Sequence, residues 1–505
     1  IWKETFTLID NPYDLINPDD EFIWPYVQIG PSPVPDKRRV YVYANNSAFN
    51  TPSGNPCGNI LIAYADFETA DLDAESELEW TYQTIPLLDQ WHNEDPWIRP
   101  FLAMAVSDDG KIAFVGWNTE DEIFVFLNEN YGEDGFDYYS EDYKIYVDNP
   151  FPDDPHDYYF TFNNCTHFNA IFTEDNNNIC FEGTMGLHGE DPNGGDDIYF
   201  PYYIYPKVFS FDLFLEEFCF FDLYPQGANP NDEILMLPWD LNEDGIPDSV
   251  DEDGNVIPVQ GWPIYYYDNE MAYNVNYFYI AKNDEKNWLA AVWSDGLKSK
   301  YANAGEDEYF DWLEVPEIAI SISNNNGETW SEPIFLNSLE TPELAEMIPC
   351  YIYPGDLIED LGNEHGKLHL FFLDDYNYSH GGGWFNGNGM LKYTALDIDF
   401  GYNVAVDEND ISSAELVLQS YPNPFHSETT ISFNVTQTSR FVTLEIFNIK
   451  GQRIRELEII NDKLEMNKVI WDGTDDNGKL LSSGIYLIKF KSDKNVISKK
   501  ITLIR

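Results

Sequence analysis

Short runs rich in aromatic and β-branched residues recur along the first 400 positions of the chain, separated by residues typical of turns. The clearest copies are residues 39–45, 112–118, 168–175, 288–295 and 368–374, and each copy ends in Asn or Asp. Runs of this length and composition predict β-strands rather than helices. Their recurrence predicts a structural repeat.

Each copy lies between two other strand-like runs, and a further run closes the first four units but not the fifth. The runs before the copies are 25–30, 100–107, 158–165, 272–280 and 348–353; those after them are 60–67, 122–127, 202–211, 317–323 and 390–398; the closing runs are 78–85, 144–147, 217–223 and 333–336. Four such runs in succession predict a small antiparallel sheet in each unit.

The strand missing from the fifth unit has a candidate in Trp2–Ile9, at the opposite end of the repeats. A ring closed in this way leaves no open sheet edge. We therefore predict an all-β chain in which residues 1–405 form a β-propeller. Five blades are favoured. Because the third unit contains long insertions, six or seven blades are also possible arrangements. A pair of β-sandwiches or a β-helix is the alternative, because the units are unevenly spaced.

The composition agrees with packed globular structure. The 505 residues include 34 Phe, 34 Tyr and 14 Trp, and 43% of the chain is apolar, which argues against a disordered chain. No stretch approaches the roughly 18 consecutive apolar residues of a membrane-spanning helix, so we expect no membrane span. The chain starts at Ile1 without a basic and apolar leader pattern, and we expect any leader to have been removed.

The charge is strongly negative and unevenly distributed. The chain has 27 Lys and Arg against 90 Asp and Glu, a net charge of −63. Residues 1–410 hold 79 of the acids and only 14 of the bases, whereas residues 411–505 are nearly neutral. Such a surface excludes nucleic acid as a partner and disfavours anionic membranes. Solubility, divalent cations or a basic partner are the uses that this acidity predicts.

Residues 240–254, within an insertion near 226–268, have the spacing of a calcium-binding loop. Counting from Asp240, oxygen donors fall at positions 1, 3, 5, 9 and 12, with Gly245 at position 6 for the sharp turn. The predicted calcium ligands are Asp240, Asn242, Asp244, Ile246 through its carbonyl, Asp248 and Asp251. The segment resembles the loops of thrombospondin type 3 and dockerin repeats. An acidic turn without a metal is the alternative.

A second local motif lies between the third and fourth runs of the fourth unit. Residues 323–330, Ser-Asn-Asn-Asn-Gly-Glu-Thr-Trp, resemble the Asp-box of sialidase-like propellers, although Asn325 stands where Asp is usual. The resemblance implies a turn between two outer strands of a blade. Gly327 is expected to supply a positive φ, and Trp330 is expected to pack between neighbouring sheets. This motif supports the fold and predicts no catalysis.

A polar linker at 406–420 precedes the last part of the chain. In that part, apolar and polar residues alternate as they do in the strands of a small antiparallel sandwich. Residues 421–505 resemble the type A C-terminal sorting domain of the type IX secretion system, an immunoglobulin-like module. The matching blocks are 422–425, 429–433, 446–452, 471–475, 483–486 and 499–503. The resemblance implies that this domain engages the type IX translocon and that the protein reaches the extracellular space or outer surface of a two-membrane bacterium.

The main evidence on the function of the first domain is the lack of acidic residues in the first run of each unit, which would form the innermost strand of a blade. The first run of each unit contains no Asp or Glu, whereas a glycosidase needs a separated pair of carboxylates. We therefore expect a non-catalytic protein that binds a glycan or protein ligand, or that assembles as a homo-oligomer, surface layer or filament. An extracellular glycoside hydrolase of propeller fold is the alternative. Residues 265–267 and 381–385 are aromatic candidates for ligand contact.

Overall fold

The computed structural model has two compact units, Ile1–Tyr402 and Asn403–Arg505. It describes residues 22–47, 58–74, 77–93, 98–151, 154–162, 168–174, 176–195, 197–223, 237, 239–240, 247, 249–251, 254–257, 277–295, 298, 310, 317–345, 347, 349–374, 390–401, 418–421, 429–433, 442–448, 453–457, 467–475, 478–482, 484–492 and 496–503. Regular structure in these ranges is almost entirely antiparallel strand, which confirms the all-β prediction.

Helices are few and short. The described helices are α1 (Thr69–Ala74), α2 (Pro86–Asn93) and one 3₁₀ turn (Pro342–Leu344). Across the described ranges, none has the length and apolar character needed to cross a bilayer.

Within the described ranges of the first unit, five antiparallel sheets follow one another along the chain. The first contains β1 (Phe22–Pro31), β2 (Arg38–Asn46), β3 (Ile60–Phe67) and β4 (Thr81–Gln83); the second contains β5 (Pro100–Val106), β6 (Ile112–Asn118), β7 (Glu122–Asn128) and β8 (Asp137–Asp142). The third contains β9 (Ile145–Val147), β10 (Asp157–Phe162), β11 (Ala170–Thr173), β12 (Asn178–Glu190), β13 (Ile198–Asp212) and β14 (Glu217–Asp222). The fourth contains β15 (Tyr279–Asn283), β16 (Trp288–Asp295), β17 (Glu317–Ser323) and β18 (Ile334–Leu336); the fifth contains β19 (Pro349–Pro354), β20 (Glu359–Gly362), β21 (His365–Asp374) and β22 (Met390–Asp399).

One edge strand of each sheet contacts the corresponding strand of the next sheet. These inner strands are β1, β5, β11, β15 and β19, and they touch one another in chain order. Side chains tie the sheets together here: the Gln28 amide donates to the Met104 carbonyl at 2.7 Å, and Lys282 Nζ donates to the Phe172 carbonyl at 2.7 Å. The sheets are therefore joined along their inner edges.

The third sheet corrects the predicted strand order. The strand β12, which pairs with β10, β11 and β13, was missing from the prediction. The strand that contacts β5 and β15 of the neighbouring sheets is β11, not the predicted run 158–165. The segment β12 contains Gly183, Gly186 and Gly189, which weaken any strand signal. Gly183 is needed nonetheless, because a Cβ there would lie only 2.7 Å from the ring of Trp117.

The closing strand of the second sheet was also predicted wrongly. The run 144–147 belongs to β9, which pairs with β10 of the third sheet, and β8 closes the second sheet. The strand β8 is polar and mostly exposed, so its sequence lacks the alternation that marks the other strands.

The motif at residues 323–330 forms a tight turn that follows β17. The backbone N–H of Gly327 donates to the Ser323 hydroxyl at 2.8 Å, and the Thr329 N–H donates to Asn325 Oδ1 at 3.0 Å. Gly327 has a φ of +88°, and Trp330 is buried. The turn has the expected geometry, whereas its kinship with the Asp-box stays a prediction.

In the described parts of the second unit, seven strands form two antiparallel sheets. These are β23 (Leu418–Tyr421), β24 (Thr429–Phe433), β25 (Val442–Asn448), β26 (Arg453–Leu457), β27 (Asn467–Trp471), β28 (Gly484–Ser492) and β29 (Val496–Leu503). One sheet has the order β23-β24-β27 and the other β26-β25-β28-β29. Both sheets contribute to one buried core around Trp471, Ile431 and Ile488.

Candidate ligand-binding site on the inner strands

The same short sequence pattern occurs on three of the inner strands. An aromatic residue, any residue and a tyrosine stand at 24–26 in the first sheet, at 277–279 in the fourth and at 351–353 in the fifth. We call these the aromatic triplets. The first residue of each triplet has a left-handed backbone, with φ of 54° at Trp24, 49° at Tyr277 and 50° at Tyr351. Such angles are uncommon for bulky residues.

The aromatic triplet of the first sheet lies at a β-bulge. The register of β1 against β2 shifts between Ile23 and Tyr26, so that Trp24 and Pro25 lie opposite the single residue Ala44. A bulge of this kind re-aims the side chains beside it, and bulges are frequent next to binding sites.

The fifth sheet repeats this irregularity at the same place. The register of β19 against β21 shifts between Cys350 and Tyr353, so that Tyr351 and Ile352 lie opposite the single residue Phe372. In both sheets the bulge directly precedes the tyrosine that ends the triplet. The two triplets are therefore presented by equivalent local backbones.

Ring contacts join the triplets of the fourth and fifth sheets. Tyr277 lies 5.0 Å from Tyr351 and 5.5 Å from Tyr353 between ring centroids, and Tyr279 lies 5.6 Å from Tyr353. Aromatic pairs at these distances stabilise one another beyond their burial. The two sheets thus share one cluster of tyrosine rings.

The first sheet reaches the same cluster through Tyr43 on β2. Tyr26 stacks on Tyr43 with centroids 4.8 Å apart and ring planes within 8° of parallel. Burial raises the pKa of the Tyr43 hydroxyl, and Tyr26 and Tyr279 raise it further. The six residues Tyr26, Tyr43, Tyr277, Tyr279, Tyr351 and Tyr353 form what we call the tyrosine cluster.

The tyrosine cluster has a buried layer and an exposed layer. Tyr43 and Tyr277 are buried, whereas Tyr26 and Tyr353 expose 39% and 42% of their surface and Trp24 exposes 66%. Burial raises the pKa of the Tyr43 and Tyr277 hydroxyls above the usual value, and it also raises the pKa of Tyr353. The buried Tyr43 hydroxyl donates to the Leu102 carbonyl at 3.4 Å, whereas a half-exposed neutral phenol such as that of Tyr26 can donate and accept a hydrogen bond with a ligand.

The inner strands offer little charge to a ligand. No Asp or Glu occurs in the five inner strands, and their single basic residue is Lys282. Lys282 already pairs with Asp284 at 2.7 Å. The arrangement suits an uncharged ligand with an apolar face and hydroxyl groups, since aromatic rings cover such a face and phenols bond to hydroxyls.

The predicted calcium ligands are only partly covered by the structure. Asn242, Asp244, Ile246 and Asp248 lie outside the described residues. Asp240 is buried, and the two carboxylate oxygens of Asp251 accept hydrogen bonds from the backbone and side-chain amides of Asn255, both at 2.8 Å. Within the described ranges, no group of three or more metal-binding side chains occurs. The calcium loop therefore stays a prediction.

Other predicted features also fall on parts of the chain that the structure does not describe. These are Trp2–Ile9 and the aromatic segments 265–267 and 381–385. The aromatic triplets, in contrast, were missed by the sequence analysis. Their signal was present as an aromatic residue two positions before a tyrosine in three inner runs, but the left-handed backbone and the bulges have no counterpart in the residue pattern.

Comparison with known families identifies the C-terminal part of the chain. Residues 419–504 match the family described as the secretion system C-terminal sorting domain. This match confirms the sorting domain predicted at 421–505. The chain is thus a secreted β protein that the type IX machinery exports to the cell surface or the extracellular space.

Several solved structures show weak similarity to the chain. PorZ of Porphyromonas gingivalis, described as an essential bacterial surface component of the type IX secretion system, is 13% identical, with a TM-score of 0.24, and the match covers 95% of this chain and 59% of PorZ. Dimeric latent PorU from the same organism is 12% identical, with a TM-score of 0.17, over 85% of this chain and 35% of that one. A levansucrase mutant from B. megaterium is 9% identical, with a TM-score of 0.27, over 79% and 90% of the two chains.

The chain therefore spans little more than half of the PorZ structure and about a third of the PorU structure. At these TM-scores the similarities do not define a common fold. A search of curated proteins finds no match.

Proposed function

We propose that the chain is a non-catalytic surface or extracellular protein whose first unit is a five-bladed β-propeller that binds a glycan at the tyrosine cluster. The observation that carries this proposal is the repeat of an aromatic triplet on three strands, with ring contacts between two of the triplets and exposed rings at Trp24, Tyr26 and Tyr353. Sugars present an apolar ring face and many hydroxyls, and both are complemented by tyrosine.

The arrangement of the inner strands supports the propeller. Five sheets follow in chain order, and each inner strand contacts the next. Tyr279 of the fourth sheet nevertheless raises the pKa of the Tyr43 hydroxyl in the first sheet. An influence between sheets that are three apart in the chain supports a row that curves back on itself, as the blades of a propeller do.

The proposed ring closes through the start of the chain. The strand β22 pairs only with β21 among the described strands, and Met390, Leu391 and Tyr393 on β22 are exposed. A strand formed by Trp2–Ile9 beside β22 would complete the fifth sheet with four strands and remove this open edge.

Binding by the tyrosine cluster is tested by calorimetry with the full-length chain and a panel of neutral polysaccharides. We expect Tyr26→Ala and Tyr353→Ala each to weaken the binding by about tenfold or more, because each removes an exposed stacking face. Tyr146→Ala is the matched control, since Tyr146 is an even more exposed tyrosine on β9 and its hydroxyl donates to Glu190 instead. Equal affinity in all three variants contradicts the proposal.

The same samples distinguish the other functions. Release of shorter sugars from the polysaccharides supports the glycoside hydrolase in place of a binding protein. A rise in light scattering with protein concentration, without any sugar, supports assembly into a homo-oligomer or filament.

We also propose that residues 240–251 bind calcium, on the strength of the donor spacing in the sequence. Saturating calcium is expected to raise the unfolding temperature of the full-length chain by a few degrees relative to chelator, about 2.7 kcal/mol at a hundredfold excess over Kd. Asp244→Ala is expected to abolish this rise. Asp253→Asn, an acidic change outside the predicted ligand set, is the control that retains it. An unfolding temperature that does not respond to calcium contradicts the site.

A further inference from the structure

The bulges in the first and fifth sheets are equivalent, and this equivalence bears on the form of the ligand. In each sheet an aromatic residue with a left-handed backbone precedes by two positions a half-exposed tyrosine, and two residues lie opposite one. Repetition of an irregular backbone on two strands is not required by sheet pairing, which is otherwise regular along β1 and β19.

The positive φ of Trp24 is unfavourable, because a side chain with a Cβ is strained there and glycine would adopt the conformation freely. Strain of this kind is normally offset by packing. The Trp24 side chain is two-thirds exposed, so its own burial in the fold offsets little of the cost. A strained and exposed aromatic residue is typical of a position selected for ligand contact.

We propose that residues 24–26 and 351–353 form two equivalent sugar-stacking subsites, so that the ligand is an uncharged oligosaccharide with at least two similar units. This inference rests on the proposed glycan-binding function. In one subsite the ring of Tyr353 lies 5.6 Å from that of Tyr279, and in the other Tyr26 stacks on Tyr43, so each subsite has a tyrosine ring behind its exposed one.

The charge of the first unit restricts the ligand further. Residues 1–410 carry a net charge of −65, which repels acidic polysaccharides. The inner strands hold no arginine, and Lys282, their only base, is paired with Asp284. Among the residues of these five strands, a carboxylated or sulfated sugar would therefore find no unpaired cation, whereas a neutral sugar needs none.

The test is a length series. Neutral oligosaccharides of one to six units from glucan, mannan, xylan and chitin are titrated into the full-length chain by calorimetry. In the series that binds, we expect affinity to rise by about tenfold or more between the single unit and the length that reaches both subsites, and then to level off. Sulfated forms of the same sugars are expected to bind more weakly.

Two glycine substitutions separate ligand contact from folding. Trp24→Gly relieves the backbone strain of an exposed side chain, so we expect an unfolding midpoint that is unchanged or higher. Tyr351→Gly relieves similar strain but also removes the ring contact with Tyr277, so we expect a lower midpoint for that variant. Affinity for long oligosaccharides is expected to fall by about tenfold, to that of short ones. Glu364→Gly is the matched control, because Glu364 has a φ of 62° in the turn between β20 and β21, outside the cluster; it is expected to keep full affinity.

The outcomes for the two subsites and for glycan binding differ. If Tyr26→Ala and Tyr353→Ala abolish binding but affinity does not depend on length, or if both glycine variants bind normally, the two subsites are disproved and the proposed function stands. Tighter binding of the sulfated sugars disproves the neutral ligand. If no oligosaccharide or polysaccharide binds, the subsites and the proposed function both fail.

Discussion

A chain lacking residues 419–504 is expected to remain inside the producing bacterium, whereas the full-length chain reaches the surface or the medium. The reason is that this segment is the sorting domain that engages the type IX machinery. The measurement is immunodetection of both forms in cell and medium fractions, and we expect the exported fraction of the truncated chain to fall to background. Truncated protein on the surface in normal amounts would contradict the assignment of the export route.

The same effect is expected from one core substitution. Trp471 is fully buried in the core of the second unit, donates its indole N–H to the Thr474 carbonyl at 3.1 Å and packs edge-on against Tyr486. Trp471→Ala leaves a large cavity and costs about 3–5 kcal/mol, a large share of the stability of a small domain. Its neighbour Ile470 is mostly exposed, so Ile470→Ala is the control that we expect to be exported normally.

The second large effect concerns Glu182, on the third sheet. Glu182 is fully buried on β12, and within the described ranges neither of its carboxylate oxygens makes a hydrogen bond of good geometry. Burial raises the pKa of this carboxyl well above its usual value, and the nearby N–H of Val292 offsets only part of the effect. The folded protein therefore holds a proton on Glu182 at a pH where the unfolded chain has released it.

Stability must then fall as the pH rises above the pKa of the unfolded glutamate, about 4.5, because the folded state binds the extra proton. Glu182→Gln stays neutral at every pH and removes this dependence. We expect the variant to be more stable than the parent by about 1–3 kcal/mol at pH 8, with no such advantage at pH 4.5, measured by urea unfolding.

Glu317 provides the matched control for that experiment. It is nearly as buried as Glu182, but Lys298 Nζ lies 2.9 Å from its Oε1 and the Asn337 amide donates to the same oxygen. Glu317→Gln removes the charge from a paired site and is expected to destabilise the protein at pH 8. If both substitutions change stability in the same direction, the contrast between paired and unpaired acids is wrong.

The sequence predicted those elements whose side chains alternate or form apolar runs. Strands such as β2, β6 and β16 are rich in Val, Tyr, Phe and Trp, and they lie where the residue pattern places them. The glycine-containing strand β12 and the polar strand β8 were missed, because pairing with neighbours rather than their own residue pattern makes them strands.

The candidate site shows a different limit. The aromatic residues of the inner strands are visible in the sequence. Tryptophan and tyrosine are not typical turn residues, however, so the residue pattern does not predict the positive φ of Trp24 or Tyr351. The bulges depend on pairing with β2 and β21, which only the folded sheets define. The contact between Tyr277 and Tyr351 depends on how two separate sheets pack, and local sequence does not encode this.

The most direct test of the account is a density map of the full-length chain soaked with the neutral oligosaccharide that binds best. The account predicts five sheets in a closed ring, Trp2–Ile9 paired with β22, and sugar units stacked on Tyr26 and Tyr353. A map in which another element separates the first sheet from the fifth, or in which the sugar lies away from the tyrosine cluster, would contradict it.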